Sequence, residues 1–222
     1  MRVTVSGAVS EPVDVTSGVP QGSVLGPVLF LLYVNHIAPG LQCYWKAFAD
    51  DFKLYLLYQR GPETAADSVV DLQRSLDQVS VIAASWNLSL TVDKCVTMRF
   101  YTGNFVLDAE LSYNLNGIRL KSVDSHKDLG VIIDNKFKFH IHIRSIVGKA
   151  AGLAGQLVRS IVCRNPVFMV SLFVSHVRSI IDYCCCVWNV GYIGDMKLIE
   201  SVQRRWTKQI NGLEGMDYGS RL

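Results

Sequence analysis

Apolar residues fall along this chain in two rhythms, short and mostly alternating at first, then long and helical. Val3, Val5 and Ala8 among polar neighbours, then Val13 and Val15 after a Glu11-Pro12 break, predict an antiparallel strand pair. Thr16 to Gly22 is a loop by composition. A helix is expected next, because Ser23 is a fair cap and Pro27 is tolerated only in a first turn. Leu25, Leu29 and Leu32 then form its buried face. Two apolar-aromatic runs, Tyr44 to Phe48 and Phe52 to Leu57, flank a short polar break and predict a β-hairpin with Asp50 and Asp51 at its tip. From Gly61-Pro62-Glu63 onward, Ala65, Val69, Leu72, Leu76, Val79, Ala83 and Trp86 recur at four- and three-residue intervals. That is one stripe of a long helix, with Asp67, Asp71, Arg74 and Asp77 opposite. Val96 to Phe100 reads as a strand. Asn116-Gly117, between Tyr113 and Leu120, is the preferred type I′ hairpin pair. Lys127 to Ile133 reads as one strand with Gly130 at its centre. Three helices complete the pattern. Their inward residues are Ile143, Val147, Ala150, Ala154, Leu157 and Ile161; then Leu172, Phe173, Val177 and Ile180; then Leu198, Val202, Trp206 and Ile210. The fold class is α+β.

Composition changes this picture little. Of 222 residues, 50% are hydrophobic and 18% charged, so a packed core is expected and disorder is not. Six cysteines, three of them consecutive at Cys184, Cys185 and Cys186, suit neither a disulfide framework nor a zinc site; buried thiols in a reducing compartment are expected. The apolar run Val24 to Val34 is too short to span a bilayer and no signal peptide opens the chain, so a nuclear or cytoplasmic protein without membrane contact is expected. Charge is more informative. Residues 1–110 hold 7 Lys/Arg against 11 Asp/Glu, whereas residues 111–222 hold 15 against 8. An acidic half beside a basic half fits metal-binding carboxylates joined to a segment that grips phosphates, although ordinary solvated helix faces give the same counts.

The candidate chemistry lies in Phe48-Ala49-Asp50-Asp51. Aspartate is a good turn residue, and taken alone the pair reads as a turn. Two adjacent carboxylates also make hard oxygen ligands for a divalent cation. Upstream stands Ser17-Gly18-Val19-Pro20-Gln21-Gly22-Ser23, in which the glycines permit close backbone approach and Gln21 both donates and accepts hydrogen bonds. This block, an apolar helix and then Phe-Ala-Asp-Asp resemble, in that order, the reverse transcriptases of LINE-like (non-LTR) retrotransposons, in their C-terminal part. The likeness continues through Lys94, in Trp86 to Cys95, and through Lys127-Asp128-Leu129-Gly130-Val131. It extends to Tyr183-Cys184, Val187-Trp188 and Gln203-Arg204-Arg205, and so covers nearly the whole chain.

The resemblance implies an architecture and an activity. Residues 1–135 would be part of a polymerase palm, an antiparallel sheet with packed helices, and residues 136–222 a helical thumb-like and post-thumb region. Gly18, Pro20, Gln21 and Gly22 would touch nucleotide and template. Asp50 and Asp51 would be catalytic and would bind Mg²⁺. Lys94 would sit near the leaving pyrophosphate, where an ammonium can donate a proton or offset charge. Leu129 and Gly130 would belong to the primer grip, although a bulge or a packing contact also explains that glycine. The implied partners are an RNA template, a DNA primer and deoxynucleoside triphosphates. Neither Glu11 nor Asp14 stands in the block that carries the family's first catalytic aspartate, and no fingers region is recognised, so the chain is expected to be inactive alone. A non-catalytic nucleic-acid-binding module and a pseudogene remnant stay open as alternatives. His140, His142 and His176 are expected to be helix or helix-entry residues, not metal ligands.

Overall fold

The computed structural model describes residues 2–14, 18, 22–35, 40–57, 62–101 and 112–222, with only the backbone described for 62–67. Along them run β1 (Thr4–Val5), β2 (Ala8–Val9), α1 (Gly26–Val34), β3 (Tyr44–Phe48), β4 (Asp51–Tyr55), α2 (Pro62–Ser85), β5 (Val96–Thr97), β6 (Asn114–Leu115), β7 (Ile118–Arg119) and β8 (Lys121–Ser122). Then follow β9 (Ser125–Asp128), β10 (Val131–Asp134), α3 (His140–Ser160), α4 (Pro166–Leu172), α5 (Ser179–Asp182), α6 (Cys185–Trp188) and α7 (Ile193–Thr207). The mixture of helix and strand is α+β. Among the described residues the strands form separate two-stranded ladders and not one continuous sheet. Two compact units result: Met1–Cys95 with Ala109–Lys121, and Val96–Asp108 with Ser122–Leu222. The β9–β10 pair, counted by sequence with residues 1–135, therefore lies in the unit that holds the C-terminal helices.

In the first unit β1 pairs with β2, Thr4 opposite Val9 and Val5 opposite Ala8. The expected partner, Val13 and Val15, is not used: Val13 is irregular and Val15 lies outside the described residues. The turn is made by Ser6 and Gly7, both at positive φ, which closes a tight hairpin before the chain reaches Pro12. Helix α1 starts near the expected place, with the Gly26 N–H donating to Ser23 Oγ at 3.0 Å. Its buried face differs from the expected one. Leu25, Leu29 and Leu32 are 65%, 51% and 58% exposed, while Gly26 and Val34 are buried and Phe30 packs beside them. The helix is apolar on every side, so the sequence pattern holds no phase information. The core of this unit joins Val34 and Val79 to Phe30, Leu41, Phe52, Leu54, Ile82 and Trp86. From Val69 onward the α2 stripe faces inward as expected, with Val79 and Ala83 buried; the side chains of Ala65 and Asp67 lie outside the described residues. Gln73 on α2 pins β6: its Nε2 donates to the Asn114 carbonyl at 2.8 Å and its Oε1 accepts from the Asn114 N–H at 2.9 Å. Asn116 and Gly117, at φ +54° and +77°, make the expected turn to β7.

In the second unit α3 lies against α7 and against the helical run α4–α5, with a π-helical turn at Phe173–Arg178 between α4 and α5. Ile143, Val147 and Ala150 are buried against Met169, Phe173, Val177, Ile181, Trp188, Val202, Trp206 and Ile210. Leu198, expected inward, is 39% exposed; the first turns of α7 lie at the margin of this core. Two caps fix the helix starts. Asn165 Oδ1 accepts from the Val167 and Phe168 N–H groups at the head of α4. At the head of α3, Asp134 accepts from the N–H groups of Lys136, Lys138 and Phe139. Partial burial alone would raise the Asp134 pKa; those three donors and the neighbouring His140 outweigh it and hold the carboxyl below its ordinary value.

Six cysteines are free, yet Cys43 alone among them is buried, and Cys163, Cys185 and Cys186 are exposed, which corrects the expectation of buried thiols. Among the described residues no helix is long and apolar enough to cross a membrane.

His142 on α3 is almost fully buried and couples this unit to pH. Its Nδ1 accepts the Ile132 N–H at 3.2 Å, so the ring proton sits on Nε2. Burial first, and the charge of Lys149 second, push the imidazole pKa below 6.5. The folded state therefore favours the neutral ring. Its contribution is complete above the unfolded value and is lost as pH falls from there through the lower folded value. Urea midpoints of the 222-residue chain are expected to decline between about pH 7 and pH 5, and His142→Gln, which keeps an acceptor but does not titrate, to flatten that decline. Equal slopes for the two proteins would show that His142 is not the group responsible.

Candidate active site

The hairpin β3–β4 carries the candidate carboxylates. Its register pairs Tyr44 with Tyr55, Trp45 with Leu54, Lys46 with Lys53, Ala47 with Phe52 and Phe48 with Asp51. Cross-strand aromatics hold that register, with Tyr44 stacked on Tyr55 at 5.4 Å and Trp45 on Phe52 at 5.5 Å between ring centres. The tip is Ala49-Asp50, not Asp50-Asp51 as the sequence suggested. Ala49 takes φ +52° as the first turn residue, and Asp51 begins β4. Alternation along a strand separates the faces: Phe52 and Leu54 pack inward on α1 and α2, while Asp51, Lys53 and Tyr55 point the other way. Lys46 stands opposite Lys53 on that outer face, so the second aspartate shares its side of the hairpin with two ammonium groups. Both aspartates are exposed.

The other candidates are placed separately. Lys94 ends a 3₁₀ turn at Val92–Lys94, held by its own N–H to the Thr91 carbonyl at 3.0 Å, and its side chain is exposed in the same unit as Asp50. Gly18 and Gly22 are exposed at φ +80° and +83°, with open space where a Cβ would stand. Their conformation explains why glycine is required there. Pro20 and Gln21 lie outside the described residues.

Leu129 and Gly130 belong to the second unit and do not lie mid-strand. They form the turn between β9 and β10, with Val131 opposite Asp128, and take φ +44° and +92°. A type I′ turn needs both central residues at positive φ, and the glycine supplies one of them. The sequence missed the turn because leucine is a poor first residue for it. A Cβ on Gly130 would stand 3.0 Å from Tyr183 Cε1, and Tyr183 Oη donates to the Leu129 carbonyl at 2.9 Å. The close neighbour of this glycine is thus a tyrosine ring, in line with the packing explanation.

Sequence reasoning also missed the contact of His140 Nδ1 with the buried Asp195, at 2.6 Å, which ties α3 to α7. No spacing in the sequence signals a pair 55 residues apart. His140 and His142 open α3, as expected for helix-entry residues, and His176 lies in the π-helical turn. Among the described residues no group of three or more His, Cys, Asp or Glu side chains gathers where a metal ion could be held. Asp50 and Asp51 offer hard carboxylate oxygens, the donor type Mg²⁺ takes, so this pair fits part of such a site.

The sequence pattern of the reverse transcriptase (RNA-dependent DNA polymerase) family matches residues 3–133, and the chain belongs to that family. It is 27% identical over 222 residues to the RNA-directed DNA polymerase from mobile element jockey of Drosophila funebris, covering 95% of this chain and 23% of that protein. It is 26% identical to the probable RNA-directed DNA polymerase from transposon X-element of Drosophila melanogaster, covering 93% of this chain and 23% of the relative. Over 160 residues it is 30% identical to a putative 115 kDa protein of the type-1 retrotransposable element R1DM of the same fly, covering 69% of this chain and 14% of the relative. These relatives place it with the non-LTR retrotransposon type of reverse transcriptase. The chain spans about a quarter of the length of the jockey and X-element polymerases. No solved structure matches it.

Proposed function

We propose that this chain carries the Asp-Asp hairpin and the helical region of an RNA-directed DNA polymerase, in which a primer 3′-hydroxyl attacks a deoxynucleoside triphosphate on an RNA template. The observation that carries this reading is the β3–β4 hairpin, which presents Asp50 at an exposed turn within the family-matched residues. Residues 1–135 act as part of the palm and 136–222 as thumb-like and following helices; the strands of the described residues all lie in the first span, and the second is helical. Asp50, with Asp51 beside it, would hold Mg²⁺, which when bound supplies positive charge to the transferring phosphoryl group. Lys94 holds a mobile ammonium that can donate a proton to the leaving pyrophosphate or offset its charge. Gly18, Pro20, Gln21 and Gly22 meet nucleotide and template, and Gly18 and Gly22 are exposed at positive φ. The Leu129-Gly130 tip meets the primer strand.

The 222 residues alone do not extend a primer in this reading. Phosphoryl transfer needs its reacting atoms and cations held in line, and one hairpin with two adjacent carboxylates leaves too few ligands for that. Purified chain incubated with Mg²⁺, primer, RNA template and deoxynucleotides is expected to give no extension. Robust extension would show that the site is complete and the reading wrong.

A non-catalytic binding role has its own support. Arg144, Lys149, Arg159, Arg204, Arg205 and Lys208 are exposed on or just after α3 and α7. Such a surface binds phosphates with an affinity that falls steeply with salt, by roughly 0.7 in the log–log slope per single-strand contact. Binding without that slope rejects the role.

A further inference from the structure

A closed circuit of contacts begins and ends on the β9–β10 hairpin. The Ile132 N–H donates to His142 Nδ1 at 3.2 Å. The His142 ring meets the buried Trp188 edge-on, at 5.7 Å between centres and 61° between planes. Trp188 Nε1 donates to the Tyr183 carbonyl at 2.8 Å. Tyr183 Oη then returns to the Leu129 carbonyl at 2.9 Å, with the ring edge over Gly130. The hairpin is thereby held at its tip by Tyr183 and at Ile132 by His142.

Two features show that Tyr183 does more than fill space. It is 54% exposed, so its burial contributes little, and what it does is local. Its hydroxyl also meets the peptide that most needs support: Leu129 stands at φ +44°, a conformation leucine resists, and that turn is kept only where neighbours hold it. Cys184, at φ +53°, bends the chain immediately after Tyr183 and leads into the helix that carries Trp188. The tyrosine thus stands on a fixed base and not on a free loop.

We propose that Tyr183, backed by Trp188, is a positioning residue for primer engagement: it fixes the direction of the Leu129-Gly130 peptide so that the exposed side of the tip meets the 3′-terminal nucleotides of the primer. This rests on the primer-side reading of Leu129 and Gly130 given above. Tyr183 touches neither nucleotide nor metal in this role. It acts through the tip, and its loss appears as poorer selection of primer ends.

The test uses the 222-residue chain and a fluorescent DNA primer annealed to RNA, once with a recessed primer 3′ end and once blunt. The unmutated chain is expected to prefer the recessed end. Tyr183→Phe keeps the ring over Gly130 and loses one hydrogen bond, and is expected to weaken recessed-end binding about three- to tenfold while blunt-end binding stays unchanged. Tyr183→Ala is expected to remove the preference, and amide exchange at Gly130 and Val131 to quicken in both variants. Thermal unfolding confirms that each variant is folded. A merely structural tyrosine would weaken both duplexes alike. Folded variants that keep the unmutated preference overturn the proposal. An unmutated chain without any preference overturns the primer-side reading, and this inference with it, before any substitution is made.

Discussion

Asp50→Ala is expected to reduce templated DNA synthesis by at least about 10²–10³-fold in a chimera where these 222 residues replace the matching segment of the Drosophila funebris jockey polymerase. The size follows from what the turn offers. Asp50 is the second residue of a two-residue turn, beyond the last ladder pair of Phe48 and Asp51. Asp51, the first residue of β4, lies on the outer face with Lys46 and Lys53, so on its own it leaves the position at the turn unfilled. Lys94→Ala is expected to slow the same chimera less severely, since the role proposed for the lysine is to assist departure of the pyrophosphate and not to hold a cation. Single-turnover extension with saturating primer and template measures both. An Asp50→Ala chimera that extends at the unsubstituted rate would remove Asp50 from the site.

Trp206→Ala is expected to lower the stability of the helical unit by about 3–5 kcal/mol. The indole is buried, lies 5.5 Å from the Phe173 ring, and its Nε1 donates to the Met169 carbonyl at 3.2 Å. Truncation leaves a cavity among Met169, Phe173 and Val202 and removes one donor from the Met169 carbonyl, which keeps the Phe173 N–H. Urea unfolding followed by helical circular dichroism measures the loss. Val174→Ala, in the same helical run but half exposed, serves as the comparison and is expected to change stability by less than about 0.5 kcal/mol. If the two substitutions cost the same, the core does not centre on Trp206.

What could be read from the sequence follows from how directional each pattern is. The α2 and α3 stripes were legible because polar residues occupy the opposite face, so the apolar set points one way. Helix α1 was not, since Val28, Leu29, Leu31 and Leu32 surround its axis and any of them could have faced inward. The Asn116-Gly117 turn was legible because that pair is suited to positive φ. Leu129-Gly130 forms the same kind of turn with a residue that resists it, and the sequence read straight through it as strand. The Asp-Asp hairpin was recognised, yet its register was displaced by one residue, because Ala49 occupies the position of positive φ where a glycine or asparagine would have announced the turn. Contacts such as Tyr183 with Leu129, or His140 with Asp195, join residues more than 50 positions apart and leave no periodic trace.

The π-helical turn at Phe173–Arg178 sets an angle as well as a path. Met169, Phe173, Val177 and Ile181 are all buried, and each is four residues from the next. In an unbroken α-helix each four-residue step drifts by about 40°, so the last of these would be turned about 120° from the first. A turn that takes more residues per revolution absorbs much of this drift and keeps the four on one line. The extra residue works as a phase correction between the start of the helix and its end, where Tyr183 must arrive facing Gly130. Deleting any one residue from 173–178 would leave a smoother helix and rotate everything after it by about 100°. Ile181 would leave the core and Tyr183 would face away from the hairpin tip. This stretch therefore tolerates exchange of its exposed side chains, such as Val174, far better than any change in its length.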